Sequence, residues 1–234
     1  MLRMTMEATR GSRRASTRAS TRVPSLPWRL AAAAGALCRL AIEPRMEWVS
    51  DLTDALCIPA MARMTACLEG DPEGRRLLRE RPRLDSSHVD FEALAKLPDG
   101  TLGREFVRFL AEHGITPDSF RLPVDYFEDV PAYVTLRLRQ THDLWHLVTG
   151  YPPSTCGELV LSAFIFAQVG APSSLLVALL GPFRYGIGQT GLKRQIFSAY
   201  RRGRATSRLT SFFWEEHWAV PLDRVRVLVG CPAA

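Results

Sequence analysis

The stretch Thr141-His142-Asp143-Leu144-Trp145-His146-Leu147-Val148-Thr149 stops at Gly150-Tyr151-Pro152-Pro153 and resumes at Ser154-Thr155-Cys156-Gly157-Glu158. A helix opened by Pro131, with Tyr133, Val134, Leu136 and Leu138 as its apolar side, runs into this stretch and must end at the Gly/Pro cluster. A second helix starts near Ser154 or Thr155 and continues to about Val169, before Gly170-Ala171-Pro172. The pattern predicts two consecutive helices joined by a tight turn, with the polar residues at the joint.

Residues four apart on a helix lie about 40° apart around its axis, so His142 and His146 share a face. Asp143 projects about 100° from His142 and about 60° from His146, so the three span about 100° of arc. Two imidazoles one turn apart can hold a single divalent metal. The turn reverses the chain, so Glu158 can return on the first turn of the next helix facing the same point. Two histidines with one or two carboxylates suit zinc, iron, cobalt or manganese, with room for a substrate or water ligand. Plainer readings of the same residues stay open here. The histidines could be hydrogen-bonded core residues, Thr155-x-x-Glu158 fits a capping box, and Asp143 could orient a histidine rather than bind metal.

The same helical pattern extends outward. Met46 to Leu68 carries Trp48, Val49, Leu52, Leu56 and Met64, and Pro59 should kink or break it. Asp71-Pro72 caps and opens a short helix with Leu77 and Leu78 on its apolar side, before Pro82. Between Pro98 and Gly114, Leu102, Phe106, Phe109 and Leu110 recur at three- and four-residue steps, with Gly114 as the stop. A loop around Pro117 and Pro123 leads into Tyr126 to Val130. The apolar run Leu175 to Leu180 is expected to end at Gly181-Pro182, and Leu192 to Arg202 forms a helix basic on one side. The last helix starts at Pro221 and buries Leu222, Val225 and Leu228 or Val229. Alternating strand patterns hardly occur. The chain reads as a single all-α domain of about seven to ten helices, without internal repeats.

Leu159, Val160, Leu161, Phe164, Ile165, Phe166 and Val169 cover more than one helical face, which marks either deep core or contact with lipid. Gly170 and Pro172 divide the apolar stretch into halves too short to span a bilayer. A groove for a greasy ligand next to Glu158 is one expectation, and simple core burial is the other.

Composition narrows the function classes. The 234 residues are 47% hydrophobic and 23% charged, a globular balance, with formal net charge +6. Residues 1 to 30 hold seven arginines and one acid, which accounts for the whole excess and leaves the remainder neutral. A neutral body has no general attraction for phosphate backbones, which argues against nucleic acid as a partner. Residues 1–27, rich in Arg, Ser and Thr, form a separate basic segment that resembles a transit peptide, with a plain basic tail or an early start as alternatives. The helical domain is expected over 28–234. The five cysteines include no C-x-x-C pair, which excludes a zinc ribbon and disfavours a disulfide framework.

The pattern H-D-x-x-H-x11-E, carried by His142, Asp143, His146 and Glu158, resembles the signature of the fourth coenzyme Q (ubiquinone) biosynthesis protein family, Coq4. The likeness extends to Leu97-Pro98 with Thr101 to Arg104, Tyr133-Val134 with Arg137 and Arg139, and Gly181-Pro182-x-Arg184. It also includes Gly203-Arg204 and Glu215 to Arg226, so that it covers about Met46 to Gly230. The resemblance implies a peripheral membrane protein, on the cytoplasmic face of a bacterial inner membrane or the matrix face of the mitochondrial one. The implied activity is metal-dependent C1 oxidative decarboxylation of a polyprenylated 4-hydroxybenzoate, exchanging the ring carboxyl for a hydroxyl. His142, Asp143, His146 and Glu158 then hold the divalent metal, zinc first among the candidates, and form the catalytic set. Arg137, Arg139, Arg184 and Phe164 become candidates for binding the anionic head and prenyl tail. Arg194, Arg201, Arg202 and Arg204 would lie near anionic lipid head groups. Implied partners are the prenylated substrate, membrane lipid, other quinone biosynthesis proteins and a second copy of the chain. No flavin or nicotinamide fingerprint is present. Two alternatives come from other classes. One is a non-catalytic lipid-binding scaffold of the same pathway, and the other is a metal-dependent hydrolase suggested by the protease-like histidine spacing.

Overall fold

Residues 24–43, 46–119, 129–185 and 190–231 are described by the computed structural model. The transit-peptide expectation and most of Tyr126 to Val130 fall outside them. Among the described residues the architecture is all-α. The helices are α1 (Leu26–Ile42), α2 (Met46–Leu56), α3 (Ile58–Gly70), α4 (Pro72–Glu80), α5 (Phe91–Ala95), α6 (Leu102–His113), α7 (Asp129–Thr149), α8 (Thr155–Val169), α9 (Pro172–Tyr185), α10 (Leu192–Ala205) and α11 (Leu222–Leu228). Two short 3-10 turns, Pro117–Ser119 and Trp214–His217, supplement them. The one antiparallel bridge among the described residues joins Thr101 to Pro221 and ties α6 to the start of α11.

Proline sets several boundaries. Pro59 sits in the first turn of α3, where a missing N–H is harmless, so the expected break falls at Cys57. Asp71 caps α4 by accepting from the Gly74 amide at 2.9 Å. Pro27 likewise lies in the first turn of α1, which starts at Leu26. Pro182 departs from expectation. Instead of ending α9 it lies within the last turn, where the helix loses a single ladder bond and stops three residues later. The eleven helices among the described residues stand just above the expected seven to ten, and α5, only five residues long, leaves no periodic signal.

The core is built around α8, which packs against α9, α10 and α3, while α7 packs against α3, α6 and α11. Burial of Leu159, Val160, Leu161, Ala163, Phe164 and Val169 accounts for the all-round apolar character of α8. Phe164 is wholly enclosed, with its ring edge-on to Trp145 of α7 at 6.1 Å. Burial of a side chain this size contributes roughly 1.5–3 kcal/mol. At the C-terminus Val225 and Val229 are inside while Leu228 is exposed. Helices α1 and α2 form a smaller cluster of their own from Ala33, Ala36, Leu52 and Ala55.

Candidate metal centre

The C-terminal half of α7 and the first turn of α8 meet at the turn between them. Ser154, not Thr155, is the cap of α8, accepting from the Gly157 amide at 3.2 Å. The capping box that Thr155 and Glu158 offered as the plainer reading is therefore not used. Glu158 falls one residue beyond the reach of a cap, and its carboxylate turns to α7 instead. Its Oε1 lies 3.0 Å from His146 Nε2 and its Oε2 lies 3.5 Å from His142 Nε2. Gly157 makes this return possible, since a Cβ there would stand 1.9 Å from the Pro152 carbonyl oxygen.

The two histidines are held differently. His146 is buried, and its Nδ1 lies 2.9 Å from the Tyr151 carbonyl oxygen. A carbonyl only accepts, so Nδ1 carries a hydrogen, and Nε2 is the nitrogen that faces Glu158. Phe109 of α6 stacks on the His146 ring at 5.8 Å and closes that side. His142 retains about a fifth of its side-chain exposure, at 21%, and its Nδ1 lies 3.4 Å from Asp143 Oδ1. Burial alone would push its pKa down. The hydrogen bonds and charges of Asp143 and Glu158 outweigh that effect and raise it to about 10. Burial likewise raises Glu158, but the two histidines pull it down to about 2.

This arrangement fits a metal cation. The nitrogens and carboxylate oxygens of His142, Asp143 and His146 lie within 4.8 Å of one another. The 3.0 and 3.5 Å separations to Glu158 bracket the spacing of about 3.3 Å between neighbouring ligands of a tetrahedral metal with bonds of about 2.0 Å. With Nδ1–H committed to Tyr151, Nε2 is the nitrogen left to meet the Glu158 carboxylate, through its own proton or through a cation held between the two. Among the described residues, Asp143 and Glu158 have no partners other than histidines and their own helices. His142 and Glu158 keep some exposure and His146 has almost none, so the cluster is open on one side.

The other expected site residues stand elsewhere. Arg137 is buried and paired with Glu215 at 2.5 and 2.9 Å, on a different face of α7 from His142. Arg139 pairs with Asp54 at 2.6 Å. Phe164 lies in the core beneath Trp145, inaccessible to a ligand from outside. Arg184 is exposed in the last turn of α9. Arg202, expected at a lipid surface, is turned inward, and its guanidinium donates to the Thr149 carbonyl at 2.6 Å. Sequence reasoning did not identify Phe109, Tyr151 or Arg202 as neighbours of the site. Phe109 was legible only as an apolar helix position, and Tyr151 acts through its backbone, which no side-chain pattern reveals.

Comparison with known proteins identifies the family. The family described as coenzyme Q (ubiquinone) biosynthesis protein Coq4 matches residues 21–232. The mitochondrial ubiquinone biosynthesis protein COQ4 homolog of Xenopus tropicalis is 34% identical over 207 residues, 86% of this chain and 73% of its own. The mouse homolog is 33% identical over 216 residues, covering 89% of this chain and 80% of its own. The crystal structure of a protein from Nostoc punctiforme, described in terms of ubiquinone biosynthesis, superimposes with a TM-score of 0.73 at 27% identity. That likeness covers 89% of this chain and 99% of the other.

Proposed function

Because the chain belongs to the Coq4 family of ubiquinone biosynthesis proteins, we propose that its motif cluster is the catalytic centre for C1 oxidative decarboxylation of a polyprenylated 4-hydroxybenzoate. The reaction breaks the bond between C1 and the carboxyl carbon, releases carbon dioxide and places a hydroxyl on C1. One atom of dioxygen enters that hydroxyl, and the other leaves as water with two electrons and two protons from an external reductant. The observation that carries the reading is the convergence of both histidine Nε2 atoms on the Glu158 carboxylate, open on the side of His142. A site with protein ligands on one side and access on the other is the catalytic rather than the structural form. A bound divalent metal, zinc first, would supply electrostatic stabilisation for the negative charge of the substrate carboxylate and phenolate. The chain's own residues do the rest. Tyr151 fixes the ring of His146, Phe109 excludes water from its far side, and Glu158 links the two helices across the site.

A membrane surface is the natural source of such a substrate. Among the described residues no helix is long and apolar enough to cross a bilayer. Leu179, Leu180 and Phe183 near the end of α9 and Phe197 of α10 are nevertheless exposed, Phe183 at 74%. Lys193, Arg194, Arg201 and Arg204 are exposed on α10. Apolar side chains beside cations suit the interface of an anionic bilayer, with Arg202 removed from the group expected there.

Complementation tests the catalytic reading. Cells lacking the C1 decarboxylation step would express the wild type, His142→Ala or Glu158→Ala. Ubiquinone and carboxyl-retaining intermediates would then be measured. The expected result is rescue by the wild type alone, with both variants folded and accumulating the carboxylated intermediate. Rescue by all three would make the protein a scaffold whose cluster is dispensable.

A further inference from the structure

Three backbone carbonyls close the C-terminus of α7, and two arginines from distant helices take them. Arg226 of α11 donates to Leu147 O at 2.8 Å and to Val148 O at 3.3 Å. Arg202 of α10 donates to Thr149 O at 2.6 Å. Both contacts satisfy orphan carbonyls and place positive charge at the negative end of the helix. Only Arg202 goes further. Its guanidinium also lies over the Tyr151 ring, 5.4 Å from the centroid.

That second contact matters because of what Tyr151 holds. Its carbonyl accepts the Nδ1 hydrogen of His146, and its own amide lies 3.4 Å from Thr149 Oγ1. Arg202 thus grips the turn at the residues just before and at the carbonyl that orients His146. Its own position is firm. At the neighbouring Gly203, a Cβ would stand 2.8 Å from Phe164 O and 2.9 Å from the Ala167 Cβ, so α10 is pressed directly on α8. Gln168 of α8 adds a hydrogen bond to Gly203 O at 2.6 Å.

We infer that Arg202 is a positioning residue of the candidate metal centre: it clamps the turn at Thr149 and Tyr151 so that the Tyr151 carbonyl holds His146 in the Nδ1–H tautomer, with Nε2 presented toward Glu158. The inference rests on the reading of the cluster as a metal centre. Outer partners of metal-bound histidines act in this way, fixing tautomer and ring orientation. Arginine suits the task better than lysine, because one planar fork can donate to a carbonyl while its face covers an aromatic ring.

The test sets Arg202→Gln and Arg202→Lys against Arg226→Gln, which disturbs the same helix end without touching Tyr151. Cobalt(II) binding to the purified full chain is followed by its visible spectrum and by titration. The expected result is affinity about 10- to 100-fold weaker in Arg202→Gln. Arg202→Lys should recover part of the loss, and Arg226→Gln should lower the melting temperature while leaving affinity within about twofold of wild type. Equal affinity in Arg202→Gln and wild type overturns the inference, as does an equal loss in Arg226→Gln. A second readout needs no metal: long-range proton–nitrogen spectra of the imidazoles should show a hydrogen-bonded Nδ1–H on His146 in the wild type and the weakening of that hydrogen bond in Arg202→Gln. If the wild type binds no cobalt, the metal reading fails by itself. The imidazole spectra then decide on Arg202, and an unchanged Nδ1–H hydrogen bond in the variant rejects its role.

Discussion

Two places in this molecule set a histidine against a carboxylate, and they are built to opposite ends. On the loop after α4, His88 Nδ1 lies 2.6 Å from Asp85 Oδ1, and Arg83 Nε lies 2.7 Å from Asp85 Oδ2. There one carboxylate is met by an arginine and a half-exposed histidine, and its charge is already answered. In the motif cluster two carboxylates, Asp143 and Glu158, meet two histidines, and no arginine or lysine completes the set among the described residues. Near the one exposed edge His142 stands between both acids, and at the buried end His146 is oriented by a backbone carbonyl. The first arrangement is a finished ion pair that locks a loop. The second is left short of positive charge at a fixed point, which is the electrostatic form that suits a bound cation.

The sharpest way to break the comparison is to delete one histidine from each place. His146→Ala should reduce zinc or cobalt affinity by more than about 100-fold, because it removes a ligand rather than an outer partner. Quinone synthesis in the complementing strain should fall with it, while the helical circular dichroism spectrum is kept. His88→Ala should leave metal affinity and quinone synthesis at wild-type levels. Retention of metal by His146→Ala, or its loss from His88→Ala, would erase the distinction between the two places.

The sequence carried the motif half of this contrast and not the rest. Spacing of His142 and His146 at one helical turn, and the Gly-Tyr-Pro-Pro reversal before Glu158, sufficed to bring three side chains to one point, as the structure does. Helix starts at Asp71 and stops at Gly114 and Gly170 were also legible, since caps and glycines act locally. What escaped depends on distant partners. Arg137 and Arg139 looked like candidates for an anionic ligand because their acids, Glu215 and Asp54, lie 78 and 85 residues away. Arg202 looked like surface charge because its acceptor is a carbonyl 53 residues earlier. Phe164 looked like a tail contact because an apolar helix reads the same whether it lines a groove or fills a core. The Asp85 cluster left no signal, since short loop contacts have no period.

Metal uptake should differ from simple ion pairing in its protons. Without metal, His142 is held protonated up to about 10, and Glu158 stays ionised down to about 2. A metal that takes the His142 nitrogen must expel that proton at neutral pH. One displaced proton makes affinity rise roughly tenfold per pH unit below about 10 and flatten above it. Calorimetric titration of zinc in buffers of different ionisation enthalpy at pH 7 should register the released proton. A pH-independent affinity between 6 and 8 would place the metal away from His142.

The smallest effect belongs to the finished pair. Burial pushes Asp85 up, but the hydrogen bond from His88 and the charge of Arg83 outweigh it and hold the carboxyl below its ordinary value of 3.8. A depressed folded-state pKa adds stability that is present above the unfolded value and lost as pH falls through the folded one. The contribution of Asp85 is therefore complete at neutral pH and disappears only in acid. Arg83 and His88 are each exposed by more than two-fifths, so screening by solvent keeps the pair to about 0.5–1 kcal/mol. Arg83→Ala should lower the denaturant midpoint slightly at pH 7, and the difference from wild type should shrink toward pH 3. A difference that persisted unchanged into acid would mean that Arg83 stabilises the loop through packing of its stem rather than through its charge.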